Sequence, residues 1–109
     1  MRIWDLAPER LCRQHLLGEH RELHALWVIL TKEKKGFARH PETARWRGKL
    51  KALYQRHESL AGEMVRRGYR HATPLPREEA VGLAEQREYK DRPAEQVRIL
   101  REKGCGCRV

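Results

Sequence analysis

The sequence predicts an all-α fold: a single compact domain of two long helices plus one or two shorter C-terminal helices, spanning residues 1–109 with a tail at 104–109 that is expected to be flexible. No stretch alternates with period two in β-branched residues, so strand signals are missing. Apolar residues recur every three or four positions over two long segments. Pro8, Pro41 and Pro93 stand where helices would begin, and Gly68 and Gly104 where they would end. A chain of 109 residues suffices for one such core and hardly for two.

The first helix is expected from about Pro8 to Leu30. Pro8 suits a first helical turn, and Glu9 suits the positive end of the macrodipole. Cys12, Leu16, Leu23, Leu26, Trp27 and Leu30 form its apolar stripe. Residues 31–39 read as a basic loop around Gly36. The second helix opens at His40-Pro41-Glu42 and ends at Arg67-Gly68, with Trp46, Leu50, Leu53, Tyr54, Leu60, Ala61, Met64 and Val65 inward. Thr73-Pro74-Leu75-Pro76 is a rigid linker. A third helix is predicted over 77–90, broken by Asp91-Arg92-Pro93, and a short fourth over 93–103.

Charge narrows the partner. Lys plus Arg number 24 against 15 acidic residues, a net +9. Residues 31–51 hold eight of the cations (Lys32, Lys34, Lys35, Arg39, Arg45, Arg47, Lys49, Lys51) against Glu33 and Glu42, hence +6 of the +9. Residues 77–103 are balanced, seven against seven. A concentrated basic zone is what phosphate contacts require. No apolar run approaches the roughly 18 residues of a spanning helix, and no basic-then-apolar signal opens the chain. The basic residues lack the broad aromatic face of a membrane-surface helix. A cytosolic protein with no membrane partner is expected, and a monomer. Three cysteines, Cys12, Cys105 and Cys107, make a disulfide framework unfit, since the count is odd.

The first helix has a second organised face, where Gln14, Gly18, Arg21, Glu22 and Ala25 fall on one side, opposite the apolar stripe. One carboxylate stands beside one guanidinium, flanked by small residues that let a backbone approach. The plain reading is a solvent face, where such a pair contributes little. A metal site also enters consideration: His20 and His24 are four apart, and a Cys-x-Cys tail with two histidines fits zinc. However, His-Arg-Glu-Leu-His misplaces the glutamate of the zinc-protease pattern, and nothing in the sequence fixes the tail near that helix. The expectation is no metal and no cofactor.

Arg2-Ile3, Leu6, Gln14-His15-Leu16, Glu19 and Arg21-Glu22-Leu23 resemble, in order and without a gap, the start of the phage-type pyrimidine-dimer DNA glycosylase and abasic-site lyase family. A second block, from Lys49-Leu50 through Glu63 to Arg67-Gly68-Tyr69, is similar to that family's second long helix. The resemblance covers the first 70 residues well and the rest weakly. It implies an all-helical DNA-repair enzyme without a metal, whose nucleophile is the α-amine of the chain. The gapless register sets Met1 at the nucleophile's position, and a bulky Arg2 implies that Met1 is retained. Glu22 takes the place of the catalytic carboxylate. Arg2, Gln14, His15 and Arg21 are expected at the DNA, with Lys34, Lys35, Arg39, Arg45 and Arg47 clamping the backbone. His15 also reads as a half-buried histidine with a satisfied hydrogen bond.

The implied partner is double-stranded DNA containing a damaged base or an abasic site, with the target nucleotide extruded from the stack. An α-amine suits the task because its reference pKa of roughly 7.7–8.0 lies far below about 10.4 for lysine, so more is free base at pH 7. The chain departs from the family in three places, one of them a shorter loop after Tyr69. Ala25 stands where the family has an arginine one turn after its glutamate, and the stretch Ala94 to Leu100 carries no aromatic residue. These departures bear on substrate choice more than on scaffold. The contrasting reading is a helical nucleic-acid-binding module without catalysis, which explains the charge equally well.

Overall fold

The computed structural model describes residues 2–32, 40–71 and 73–109. Among them all regular structure is helical: α1 (Arg13–Lys32), α2 (Pro41–Trp46), α3 (Leu50–Arg66) and α4 (Pro93–Lys103), with single 3-10 turns at Pro8–Arg10 and Arg77–Glu79. The two long helices, α1 and α3, pack against each other. Leu16, Glu19, Leu23, Leu26 and Trp27 are the buried positions of α1, the spacing of one helical face. Ala52, Leu53, His57, Leu60, Ala61 and Met64 answer from α3. Val65, expected inside, is exposed; one step beyond Met64 the helix has turned it to solvent. No helix among the described residues is long and apolar enough to cross a membrane.

The chain start is part of this core. Ile3, Trp4, Leu6 and Leu11 are buried with the helices. The first helix begins later than expected because Leu11 turns inward in extended conformation (φ −80°, ψ 139°). Its carbonyl, which a continuous helix would have used, accepts from Arg67 Nη2 at 2.6 Å, as does that of Pro8 at 3.3 Å. Arg67 in turn is held by Glu63 (2.6 Å), so the end of α3 grips the chain just before α1.

The predicted second helix is two helices. Gly48, at φ +77°, turns the chain between α2 and α3. The predicted third helix is absent beyond Glu79, and tertiary demand explains why. The start of α3 has no side-chain cap. Residues 81–83 supply acceptors instead: Lys51 N donates to Val81 O (2.8 Å), Ala52 N to Leu83 O (3.0 Å), and Leu83 N returns to Gly48 O (3.0 Å). Gly82 sits at φ +87°, where a Cβ would lie 2.3 Å from Gly48 O, so only glycine permits this approach.

α4 follows the sequence closely, opening on Pro93 and closing on Gly104 in the left-handed region (φ 60°). Beyond it the tail folds back. Arg108 N donates to Arg10 O (2.7 Å), Arg10 Nε to Arg108 O (3.0 Å), and Cys12 N to Cys107 Sγ (3.1 Å).

Candidate active-site cleft

An extended segment at the chain start forms one wall of the site, and side chains satisfy its backbone groups. Ile3 N donates to Glu42 Oε2 (3.2 Å) and Ile3 O accepts from Arg45 Nη2 (2.9 Å). The Trp4 amide bonds Glu19. Asp5 N donates to Gln96 Oε1 (2.8 Å), and Leu6 O accepts from Arg56 Nη1 (2.7 Å). Side chains of four helices thus hold residues 3–6 by five hydrogen bonds, taking the place of a backbone ladder. At the end of this segment the Arg2 amide donates to Glu22 Oε2 in a short hydrogen bond.

Glu22 lies in an open cleft of about 390 Å³. Gln14, His15, Gly18 and Glu22 of α1 line one side, Arg2 and Trp4 the second, and Ile99 and Lys103 of α4 the third. The face on which the sequence grouped Gln14, Gly18 and Glu22 is therefore the floor of a cleft. Gly18 does not receive a neighbouring backbone, since a Cβ there would meet nothing within 4 Å; it keeps the cleft open. Glu19 is its buried partner residue, 2 % exposed. Burial raises the Glu19 carboxyl above its ordinary range. The bidentate Arg56 pair (2.7 and 3.0 Å) opposes that shift. Glu19 braces the cleft rather than opening onto solvent.

The sequence-predicted site residues divide into four groups. Arg2, Gln14, His15 and Glu22 converge on the cleft. The Arg2 guanidinium pairs with Asp91 (2.8 Å) and lies over the Trp4 ring. Arg21 is exposed on the next face of α1, and Arg47 is exposed on the turn after α2. Met1, Lys34, Lys35 and Arg39 lie outside the described residues. Arg45 is a correction: it is 5 % exposed, and Glu42, Asp5 (3.0 Å), Glu88 O (2.9 Å) and Ile3 O take up its guanidinium. It braces the chain start, and four of its five N–H donors are committed there rather than presented to a phosphate. Lys49, counted in the basic zone, is likewise buried against Gln86 and Glu88.

Two clusters stand apart from Glu22. His15 Nδ1 lies 3.1 Å from Cys12 Sγ and 3.4 Å from Cys107 Sγ, and Cys105 completes the group. Burial, then Lys103, lowers the His15 pKa. On the other side of α1, His20 Nε2 meets His71 Nε2 (3.0 Å) and His24 Nε2 meets His57 Nε2 (3.1 Å). Burial, then repulsion from the other three rings, holds His20 down to about 4.

Sequence reasoning missed Trp4, Glu19, Ile99 and Lys103 as cleft residues. Glu19 was visible as part of the helix block, but its burial depends on Arg56, 37 positions away. Lys103 is the last residue of α4, and no local pattern tells which element that end faces.

No curated protein and no solved structure matches this chain. Residues 1–76 match the family model for pyrimidine dimer DNA glycosylase, more than half of the chain and all of α1, α2 and α3. That stretch contains the pinned chain start and Glu22. The chain therefore belongs to the pyrimidine dimer DNA glycosylase family, a family of DNA-repair enzymes whose substrate is DNA.

Proposed function

We propose that the chain is a DNA glycosylase with an associated abasic-site lyase step, working through a Schiff base on the α-amine of Met1. The observation that carries this is the Arg2 amide bonded to Glu22. Covalent geometry keeps the nitrogen of any residue joined to Arg2 within about 4 Å of the Arg2 nitrogen. That short reach from the Arg2 nitrogen supports the reading of the chain's α-amine and Glu22 as working together.

In the proposed reaction the free amine bonds to the sugar C1′ while the glycosidic bond breaks, its electron pair leaving with the base, which takes up a proton. Glu22 stabilises the positive charge that develops on the sugar. Opening of the sugar leaves an iminium. Glu22 then accepts the C2′ proton, the C3′–O bond breaks, and the phosphate departs with that pair. Arg2, Arg21 and Lys103 supply positive charge for the flanking phosphates, and Gln14 a polar contact. The substrate is double-stranded DNA carrying a pyrimidine dimer, another damaged base or an abasic site, entered by extrusion of the nucleotide. The basic residues Lys34, Lys35, Arg39 and Arg47 fit a clamp on the bent backbone, and the protein acts as a cytoplasmic monomer.

Glu22→Gln tests this. Affinity for abasic-site duplex stays within a few-fold of wild type, while strand cleavage falls by at least about a hundredfold, the scale of one general acid–base group. Near-normal cleavage would remove Glu22 from the mechanism. A wild-type protein that binds duplex DNA yet cleaves no lesion and no abasic site would be a binding module instead.

A further inference from the structure

We infer that Cys12, His15, Cys105 and Cys107 form a closed zinc site that staples the C-terminal tail to the start of α1. The four ligand atoms lie within 4.8 Å of one another. Zinc bonds of about 2.3 Å to sulfur and 2.0 Å to nitrogen set tetrahedral sulfur–nitrogen edges of roughly 3.5 Å. The measured edges are 3.1 Å from Cys12 Sγ and 3.4 Å from Cys107 Sγ to His15 Nδ1. Three thiolates and one imidazole are a soft, tetrahedral donor set that selects zinc over hard cations. Four protein ligands leave no open position, so the site is structural. The Cys12 amide already donates to Cys107 Sγ (3.1 Å), the outer-shell bond a metal thiolate takes.

The topology gives the staple a purpose. Cys12 and His15 open α1, while Cys105 and Cys107 follow Gly104, which turns the chain out of α4. Ile99 and Lys103 of α4 form a wall of the cleft, and His15 is in its lining. A metal here fixes that wall against the floor that carries Glu22. His15 is then a ligand rather than a DNA contact. The tail packs Cys105, Cys107 and Val109 against the core, and a metal adds a fixed anchor to that packing.

A second, independent cluster carries the same inference on the other side of α1. His20, His24, His57 and His71 present four ring nitrogens within 4.8 Å of one another. Two separate N–H···N pairs would account for the contacts between His20 and His71 and between His24 and His57. They would not draw all four nitrogens together. Glu58 Oε1 lies 3.0 Å from His57 Nδ1, and the Thr73 backbone bonds His24 and His57. These are the outer partners that orient metal-bound imidazoles. Four imidazoles suit a first-row divalent ion such as zinc, and this site clips His71 onto α1 and α3.

Metal content of the full-length, untagged protein tests both sites. Protein produced with added zinc and passed through gel filtration is assayed for metal and then exchanged with cobalt(II). The expected result is two metals per chain, with thiolate-to-cobalt charge-transfer bands and strong tetrahedral visible bands. Cys105→Ser/Cys107→Ser retains one metal and loses the charge-transfer bands. His24→Gln/His71→Gln retains one metal and keeps them. Chelation of wild-type protein, followed by helical circular dichroism and protease digestion, serves where a variant fails to fold; the tail is then cleaved faster than in the zinc-loaded protein. No bound zinc and no cobalt bands would overturn both sites, and bands unchanged by the cysteine substitutions would overturn the first.

Discussion

Replacing Arg45 with methionine separates the structural role of this residue from the phosphate contact expected from its charge. The substitution keeps much of the aliphatic stem and removes the guanidinium. Glu42, 1 % exposed, loses its cation and keeps only Trp46 Nε1 (3.1 Å) and Ile3 N (3.2 Å) as donors. Ile3 O loses its donor altogether. Asp5 is better placed to regain water, its side chain being 12 % exposed. The cost is therefore dominated by one buried carboxylate left unpaired, about 3–5 kcal/mol. That is a large share of the roughly 5–15 kcal/mol of a domain this size. It corresponds to a midpoint about 15–25 °C lower. Urea unfolding followed by tryptophan fluorescence reads it, since Trp46 lies beneath the Arg45 guanidinium. Glu42→Gln/Arg45→Met recovers a good part of the loss, because no charge is then stranded. A loss below about 1 kcal/mol with DNA affinity reduced several-fold would refute the buried role and restore Arg45 to the clamp.

Two further outcomes follow from particular contacts. Gly82→Ala destabilises by at least about 1–3 kcal/mol, because a Cβ at φ +87° meets Gly48 O; a denaturation midpoint within error of wild type would mean that residues 81–83 do not cap α3. Glu63 is held down to about 2, first by its bond to Arg66, against burial and with Arg67 assisting. A depressed carboxyl contributes stability that is present above its ordinary value near 4.5 and lost as pH falls toward about 2. The stability gap between wild type and Glu63→Gln accordingly closes over that window in urea titrations at successive pH values. A gap that stays constant through it would contradict the assignment.

Much of the scaffold is legible in local pattern. The apolar stripe of α1 needs only the helical period, and Pro93 with Gly104 bounds α4. The grouping of Gln14, Gly18 and Glu22 follows from the same period, and it marks the cleft floor. What the sequence misleads on are residues claimed by distant partners. Residues 81–90 are rich in helix formers, yet the uncapped start of α3 takes the carbonyls of Val81 and Leu83. Arg45 looks like a surface cation because its partners Asp5 and Glu88 lie 40 and 43 positions away. His20 and His24 are visible as a pair at helical spacing, but His57 and His71 join them only through the packing of α1 on α3. Cys105 and Cys107 reach His15 only because the tail folds back across the start of α1.

The proposed chemistry stands on the amine at the chain start, and borohydride trapping tests it most directly. Untagged protein is incubated with duplex DNA containing an abasic site, reduced, and the covalent complex mapped by mass spectrometry. The account predicts a single crosslink on the α-amine of Met1, lost when the amine is blocked and retained in part in Glu22→Gln. A crosslink on a lysine, Lys103 of the cleft wall foremost, or no crosslink while DNA remains bound, would contradict it.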